Sequence, residues 1–448
     1  MRPPDSGLRP RWGTKPRLQD TSAAYANGTV TSMIGNFQKN SRDFTEVRQA
    51  WTSPRHPDVV GIPRRQFMPF HRLHHLGLAA LVATLLPGAV MAAGELTLAH
   101  VAPLTGPVSK EAVEYNLGIR VALKAANAAG GIHGRQLVLQ DLDDEYKPEK
   151  ALARFNEAAS SEAIAALMPV GSLTFSRILK ERLPETRAFP VIGVVPGAQP
   201  LREPLNPYVF HVRASDQEQY RKLAEHATST GLKRIAVAYA DVPFGHAGLA
   251  TLEALFKGKA EQLVAKAALP VGSKAEQLAG AVQALGAAQP DIVYLVSPSQ
   301  LAGEFVKAYR SKGITAQLAT PSYGNAESLC QIAGEEATRG IVIAQVMPNL
   351  NNSAIPLVRR FQDDFRKYAE AGVPPTIFHL EAYATTRVVL EGLRLAGPAP
   401  TRTKLAQALE GMKKFDLGGF PVEYSAARHA GSHYVDISIV GRGCRLMF

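Results

Sequence analysis

Residues 96–144, LTLAHVAPLTGPVSKEAVEYNLGIRVALKAANAAGGIHGRQLVLQDLDD, carry the clearest structural pattern of the chain. They begin with an apolar run from Leu96 and end with a second run from Gln136, and both runs are typical of buried strands. Between them, apolar residues recur at helical spacing from Tyr115 to Ala126, and Gly130-Gly131 supplies a helix stop. The stretch therefore predicts a strand, a helix and a second strand.

The same alternation continues to the end of the chain. Further short apolar runs, rich in β-branched residues, begin at Ala163, Phe189, Arg234, Asp291, Gly340 and Tyr434. Amphipathic stretches of helical length separate them, which favours right-handed crossovers and doubly wound parallel sheets. About ten strands in about 350 residues exceed one comfortable sheet, so we predict an α/β protein with two doubly wound lobes.

The basic charge of the chain lies mostly at its N-terminal end. The whole sequence of 448 residues has a formal net charge of +11, but residues 1–92 alone hold 12 Lys and Arg against 5 Asp and Glu. The remainder has a net charge of only +4 and contains no basic run interleaved with aromatic residues. These features argue against a nucleic-acid partner.

The N-terminal end itself is typical of an export signal. Arg64-Arg65-Gln66-Phe67-Met68 resembles a twin-arginine motif, although Met68 could equally start an ordinary secretory signal. An apolar run over 76–90 follows, and a cleavage site of small residues ends at Ala92. We therefore expect residues 1–67 to be disordered or untranslated, residues 68–92 to be a signal peptide, and the mature protein to be periplasmic. A membrane anchor remains the alternative for this run.

Two cysteines, Cys330 and Cys444, lie 114 positions apart. Export would permit a disulfide between them, but the sequence does not place them within bonding distance, so their pairing stays open.

Motifs of the common α/β enzymes are absent from the sequence. No G-x-G-x-x-G follows a strand, and there is no Walker loop, H-E-x-x-H, C-x-x-C or G-x-S-x-G. Asp143-Asp144-Glu145 is the best carboxylate cluster, but adjacent carboxylates on an extended segment point to opposite faces. We expect neither enzymatic activity nor a cofactor or metal.

Candidate ligand contacts follow the predicted strands, because open parallel sheets bind ligands beyond their carboxyl ends. Small, hydroxyl and amide groups at these ends suit a carboxylate. The candidates in the first half are Ser172, Thr174, Gly197, Ala198 and Gln199. Those in the second half are Phe244, Ser297, Ser322 and Tyr323.

Several segments together resemble the branched-chain amino-acid binding protein family, the type I periplasmic solute-binding proteins. The landmarks are PLTGPVS at Pro103, NAAGGIHGRQLVLQDLDDEYKPEKA at Asn127, PGAQPLREP at Pro196, FHVRAS at Phe210 and YADVPFGHAG at Tyr239. The resemblance implies an exported binding protein that delivers a small ligand to the permease of an ABC importer. A ligand sensor of the same fold is the alternative.

The family fold implies two lobes joined by three crossing hinge strands, near 209–213, 341–346 and 435–440. One lobe would then consist of 93–213 and 347–433, and the other of 214–346 and 434–448. Ligand binding would close the cleft between them by hinge motion, and we expect the protein to be monomeric.

Carried over position by position, the resemblance places Ser172 and 197–199 at the ligand carboxylate and Phe244 over the ligand. Ser322 stands where leucine-type binders keep the glutamate that pairs with the ligand's ammonium, and Pro298 stands where they keep a tyrosine. An unpaired buried ammonium is costly, so the ligand is predicted to be a small carboxylate without an ammonium, unless another acid substitutes or the alignment is locally shifted. The candidate substitutes are Glu381, Asp241 and Glu327.

Overall fold

The computed structural model describes residues 94–106 and 108–448. Its strands are β1 (Leu96–Ala102), β2 (Leu137–Asp143), β3 (Ala166–Leu167), β4 (Val191–Ile192), β5 (Val209–Phe210), β6 (Arg234–Ala240), β7 (Gln262–Leu269), β8 (Ile292–Val296), β9 (Gln317–Thr320), β10 (Val342–Gln345), β11 (Phe415–Asp416), β12 (Pro421–Val422), β13 (Asp436–Val440) and β14 (Leu446–Met447). Its α-helices are α1 (Ser109–Ala128), α2 (Pro148–Ser160), α3 (Ser172–Lys180), α4 (Leu183–Thr186), α5 (Asp216–Ser229), α6 (Pro243–Phe256), α7 (Ala279–Ala287), α8 (Ser299–Ser311), α9 (Ala326–Ala333), α10 (Glu335–Thr338), α11 (Pro356–Tyr368), α12 (Ile377–Ala396) and α13 (Arg402–Glu410). The predicted N-terminal extension and signal peptide lie outside the described residues.

The first sheet has the strand order β2-β1-β3-β4-β5, and all its neighbouring strands are parallel. Helix α1 packs along α12 on this sheet. The two helices approach closely at Gly118, where an added Cβ would lie 2.4 Å from the carbonyl oxygen of His379. Glycine is therefore required for this helix contact, which buries the apolar faces of both helices.

The second sheet has the order β14-β13-β10-β9-β8-β6-β7. It is parallel except at β13, which pairs antiparallel with β10 on one side and with β14 on the other. Every residue of β8 is buried, as expected of a strand that is covered by helices on both faces. The predicted α/β class with two doubly wound units is confirmed.

Strand β7 has no counterpart in the predicted set. Its sequence, QLVAKAAL, is rich in Ala, and most of its residues are partly exposed because it lies at the edge of the second sheet. A half-exposed edge strand lacks the continuous apolar run that identifies a buried one, so its signal was weak.

The chain passes between the two sheets three times: after β5, after β10 and before β13. The predicted crossing strands 209–213, 341–346 and 435–440 contain the strands that flank these passages. At the first passage α5 begins with a capping box, in which the Ser215 hydroxyl accepts from the Glu218 N–H and the Glu218 carboxylate accepts from the Ser215 N–H. The cap fixes where the helix starts as soon as the chain leaves the first sheet.

Cys330 and Cys444 form a disulfide, with their Cα atoms 6.2 Å apart. It ties α9 to the short 3₁₀ turn between β13 and β14. The sequence had left this pairing open. Among residues 94–106 and 108–448, no helix combines the length and the apolar character that a membrane span needs.

Candidate functional site

A small cavity lies beyond the carboxyl ends of strands from both sheets, with a volume of about 70 Å³. Its lining residues follow β2, β3 and β4 of the first sheet and β6, β8 and β9 of the second, and two helices of the first sheet contribute as well. The lining is formed by Val108, Glu111, Tyr115, Tyr146, Val170, Gly171, Ser172, Val195, Pro196, Phe244, Pro298, Tyr323 and Phe378. This is the position at which open parallel sheets bind ligands.

Three of the predicted contact residues, Ser172, Phe244 and Tyr323, line this cavity. The Ser172 hydroxyl accepts a hydrogen bond of 3.3 Å from the Phe244 N–H, which joins the two sides of the cavity directly. Ser172 begins α3 and follows Gly171, whose φ is +106°. An added Cβ at Gly171 would lie 2.4 Å from the Tyr146 ring. A glycine is needed to bring this helix N-terminus to the cavity.

Tyr323 connects both sides through its hydroxyl. The hydroxyl donates to Asp216 Oδ1 at 2.6 Å and accepts from the Gly197 N–H at 2.7 Å. Its ring lies 5.5 Å from that of Phe244, and the Arg213 guanidinium stacks 4.8 Å from the ring centroid. The predicted carboxylate contact Gly197 does not itself line the cavity, and its N–H is already bonded to the cavity residue Tyr323.

Four predicted residues lie near strand ends without lining the cavity. The Thr174 hydroxyl donates to the Val170 carbonyl within its own turn, and Ala198 is buried in the core of the first sheet. Gln199 begins a 3₁₀ turn and faces other grooves, while Ser297 is fully buried and its hydroxyl donates to the Pro298 carbonyl. Each of the four lies one or two positions in the sequence from a residue that lines the cavity or from Gly197, which bonds the cavity residue Tyr323.

Ser322 and Glu381, the two remaining predicted residues, meet at Arg213. The guanidinium of Arg213 is 3.3 Å from Glu381 Oε1 and donates to the Ser322 hydroxyl. Glu381 also accepts a hydrogen bond of 3.3 Å from the Tyr115 hydroxyl, which lies at the cavity wall. This buried network connects the first crossing, α12 and the loop after β9 beneath the cavity.

Burial raises the pKa of Glu381, while Arg213 and the Tyr115 hydroxyl act to lower it. Burial would lower the pKa of Arg213, but the charge of Glu381 outweighs it and the pKa lies above its ordinary value. The guanidinium is therefore a permanent buried cation, and Glu381 is engaged with it rather than facing the cavity.

The other two candidate ammonium partners also lie away from the cavity. Asp241 is exposed and pairs with His246 at 2.7 Å. Glu327 accepts from Gln331 at 3.3 Å and lines a separate groove. None of the three predicted acids therefore lies in the cavity.

The cluster Asp143-Asp144-Glu145 shapes a loop. Asp143 accepts from the Thr105 hydroxyl at 2.6 Å, Asp144 accepts from the Tyr146 N–H at 2.8 Å, and Glu145 pairs with two lysines. Burial raises the pKa of Asp144 to about 7, against the opposing effect of the Tyr146 N–H. Within the described residues, no three His, Cys, Asp or Glu side chains are grouped to hold a metal ion.

Comparison with known proteins identifies the family. The model of the periplasmic binding protein family matches residues 95–443. The chain is 24% identical to Leu/Ile/Val-binding protein homolog 3 of Brucella melitensis, over 77% of this chain and 90% of that protein. It is 27% identical to the leucine-, isoleucine-, valine-, threonine- and alanine-binding protein of Pseudomonas aeruginosa, over 71% and 83% of the two chains.

The chain belongs to the periplasmic binding protein family. The predicted resemblance to the branched-chain amino-acid binding proteins is confirmed. Both of these relatives are named as amino-acid-binding proteins.

Solved structures agree with this membership. An extracellular ligand-binding receptor from Verminephrobacter eiseniae superimposes with a TM-score of 0.75 at 31% identity, covering 79% of this chain and all of that one. A branched-chain amino-acid ABC transporter protein from Thermus thermophilus with bound valine gives 0.72 at 20% identity, covering 79% and 94%. At that identity the second likeness shows the fold alone.

Tyr146 is a cavity residue of this periplasmic binding protein that the sequence did not single out. It follows the carboxylate cluster after β2, and burial raises its pKa, while hydrogen bonds with Ser172 and the Leu173 backbone lower it. The Tyr146 ring lies against Gly171, the residue that precedes α3. The backbone is left-handed at Glu145 and Tyr146, with φ of +52° and +60°. This conformation places the Tyr146 side chain at the cavity, and no sequence pattern predicts it.

Glu111 is the second residue that sequence reasoning missed. It lies in the first turn of α1 and lines the cavity between the aromatic residues. Burial raises its pKa, and hydrogen bonds from its own backbone and from Ser299 of the second sheet's α8 lower it. The helical pattern alone does not reveal this placement, because an acid in a first turn usually faces solvent.

Proposed function

We propose that this protein is the exported, non-enzymatic solute-binding component of an ABC importer, and that it captures a small carboxylate or amino-acid-like ligand in the cavity. The observation that carries this is the cavity itself, which takes residues from both sheets at their carboxyl ends. A small, mostly apolar cavity with few polar groups suits capture and release better than chemistry.

The proposal includes the predicted division into lobes, 93–213 with 347–433 and 214–346 with 434–448. Contacts between the two predicted lobes support closure on a ligand: at the cavity, Ser172 bonds the Phe244 backbone, and at a neighbouring groove Lys110 Nζ donates to Gln331 Oε1 at 2.9 Å. In this view the open and closed forms differ by hinge motion at the three crossings, and the permease recognises the closed form. The mature protein acts as a periplasmic monomer after cleavage near Ala92.

Thermal unfolding of the purified protein, refolded from denaturant to remove any copurified ligand, tests this proposal. The panel contains amino acids, aliphatic and aromatic carboxylates, amides and short peptides. A ligand at a hundred times its Kd should stabilise the protein by about 2.7 kcal/mol, which is a shift of a few degrees in Tm.

A matched pair of variants locates the site. Phe244→Ala removes a ring from the cavity and should weaken the response, whereas Tyr239→Phe, a partly exposed residue outside the cavity, should leave it unchanged. Recovery of the added compound unaltered after incubation indicates binding without turnover. Conversion of the compound, or a folded protein that responds to no member of the panel, would contradict the proposal.

A further inference from the structure

A second concave region, which we call the arginine groove after Arg202, Arg221 and Arg428 in its wall, has a volume of about 350 Å³. Among the described residues, it shares no lining residue with the cavity. Its wall comes from residues in three segments, 199–209, 211–221 and 427–433. The second segment includes the passage after β5, and the third leads towards β13. The arginine groove therefore lies where the chain passes between the two sheets.

Charged side chains dominate the arginine groove. Three guanidinium groups and two carboxylates line it: Arg202, Arg221, Arg428, Glu203 and Glu218. The Glu218 carboxylate is already engaged, because it accepts from the Ser215 N–H at 2.7 Å and from the Ser215 hydroxyl at 2.8 Å and also bonds the His433 ring. The Glu203 side chain is exposed. The positive charge of the described lining residues therefore exceeds their free negative charge.

Arg202 lacks an ionic partner among the described residues. Arg428 pairs with Glu423 at 3.6 Å, whereas no carboxylate lies within salt-bridge distance of Arg202. Arg202 Nη2 donates to the carbonyls of Arg213 and Ala214 at 3.1 and 3.3 Å, and its buried Nε has no hydrogen-bond partner. Burial lowers the pKa of Arg202 because the charged form loses hydration. An anion beside this guanidinium would offset that loss.

His211 supplies a second unpartnered group at the same place. Its side chain lines the arginine groove and is only 4% exposed, and among the described residues no partner lies within hydrogen-bond distance of its Nδ1. Burial lowers the pKa of His211, and the charge of Arg202 lowers it further, since the two side chains are neighbours. Buried polar atoms in native proteins are seldom left without a partner. A ligand in the groove can supply one for both side chains.

The chemistry of these groups favours an oxyanion. A guanidinium donates in a planar fork that fits the oxygens of phosphate, sulfate or carboxylate. Arg221 is exposed and, like Arg202, forms no salt bridge within the described part of the chain. Two guanidinium charges without a carboxylate partner match an anion of two negative charges better than one of a single charge.

We propose that the arginine groove is a second binding site, separate from the cavity, and that it takes a small dianionic oxyanion of the phosphate or sulfate type. Arg202 and His211 hold the anion, and Arg221 contributes charge at the rim. This site goes beyond the proposed function, because it does not depend on what the cavity captures.

Isothermal titration of the full protein at neutral pH, with sodium phosphate, sodium sulfate and sodium acetate, tests the proposal. Sodium chloride keeps the ionic strength constant, so that general screening does not imitate binding. We expect phosphate or sulfate to bind and acetate, which carries one charge, to bind at least about tenfold more weakly.

Variants locate the anion. Arg202→Gln should weaken binding of the dianion by at least about tenfold, because a hydrogen-bonded charge is lost. Arg221→Gln changes an exposed side chain that the fold does not need, and should weaken binding by about threefold. Arg360→Gln, exposed on α11 and outside the groove, is the matched control and should change affinity by less than about 1.5-fold. Circular dichroism establishes that each variant is folded.

The cavity variant Phe244→Ala should leave the affinity for the dianion unchanged, because the two sites share no described residue. A loss in Phe244→Ala as large as that in Arg202→Gln would place the anion in the cavity and overturn the second site. Absence of binding by both dianions, acetate binding as tight as theirs, or equal affinities in Arg221→Gln and Arg360→Gln would also overturn it. None of these results bears on capture in the cavity, which the thermal unfolding panel tests separately.

Discussion

The hydroxyl of Tyr323 joins three segments of the chain at the edge of the cavity. It bonds Gly197 after β4 and Asp216 at the start of α5, and an added Cβ at Gly197 would lie 2.3 Å from Asp216 Oδ1. Removing the hydroxyl leaves a buried N–H and a buried carboxylate oxygen without this partner.

We therefore expect Tyr323→Phe to lower the free energy of unfolding by about 1–3 kcal/mol. Urea denaturation measures the change, with Tyr239→Phe as a matched control that should stay within about 0.5 kcal/mol of wild type. Equal stability of the two variants would show that the hydroxyl makes no net contribution.

The burial of His100 predicts that the free energy of unfolding depends on pH. It is fully buried on β1, and desolvation lowers its pKa from 6.5 to about 4, against the opposing charge of Asp141. The unfolded chain takes up a proton below about pH 6.5 and the folded chain only below about pH 4, so the stability contributed by the neutral ring is present above pH 6.5. It is lost as the pH falls from 6.5 to 4, by about 3 kcal/mol.

The measurement is the free energy of unfolding between pH 4 and 7 in wild type and in His100→Gln. Other buried groups titrate in this range, so the difference between the two profiles isolates His100. The profile of the variant should be flatter by the stated amount, and His133→Gln, at an exposed turn, should follow the wild type. Parallel profiles for wild type and His100→Gln would refute the assignment.

At the scale of elements, the disulfide joins two pieces of the second sheet's unit that are distant in sequence. Cys330 lies on α9, and Cys444 lies 114 positions later, next to the final strand β14. A cross-link over so long a loop restricts the unfolded chain, which is worth about 2–4 kcal/mol in typical proteins.

Replacing both cysteines by serine should therefore lower the free energy of unfolding by about 2–4 kcal/mol. A reducing agent should bring the wild type to the stability of the double variant and leave the double variant unchanged. Urea denaturation with and without the reductant makes this comparison. Insensitivity of the wild type to complete reduction, verified by thiol titration, would contradict it.

At the scale of the whole molecule, Arg213 links the first crossing to both sides of the cavity. It pairs with Glu381 on α12 and with Ser322 after β9, and its side chain is only 1% exposed. Breaking such a pair from one side leaves a buried charge without its partner, whereas removing both partners does not.

We expect Arg213→Met and Glu381→Leu each to cost about 3–5 kcal/mol, and the double variant that combines these two substitutions to recover much of that loss. Urea denaturation of the four proteins forms a double-mutant cycle. Additive losses in the double variant would show that the two groups do not interact.

Much of the fold follows from local patterns. The alternation of apolar runs with amphipathic stretches, from Leu96 to Val440, was sufficient to predict an α/β chain with two sheets. The strand ends also indicated Ser172, Phe244 and Tyr323, because the end of a parallel strand is visible in the sequence. Each of these patterns involves residues that are close together in the chain, so one sequence is enough to recognise it.

Which distant side chains meet depends on the three-dimensional packing of the chain. Glu111 and Tyr146 join the cavity, Arg213 engages the glutamate expected to face the ligand, and the two cysteines pair, all across separations set by the three crossings. Periodicity fixes which face of a helix or strand is buried, but not what it is buried against. Local sequence patterns were thus enough to predict the two sheets and the strand ends at which the cavity lies, whereas long-range packing sets which charged groups line that cavity.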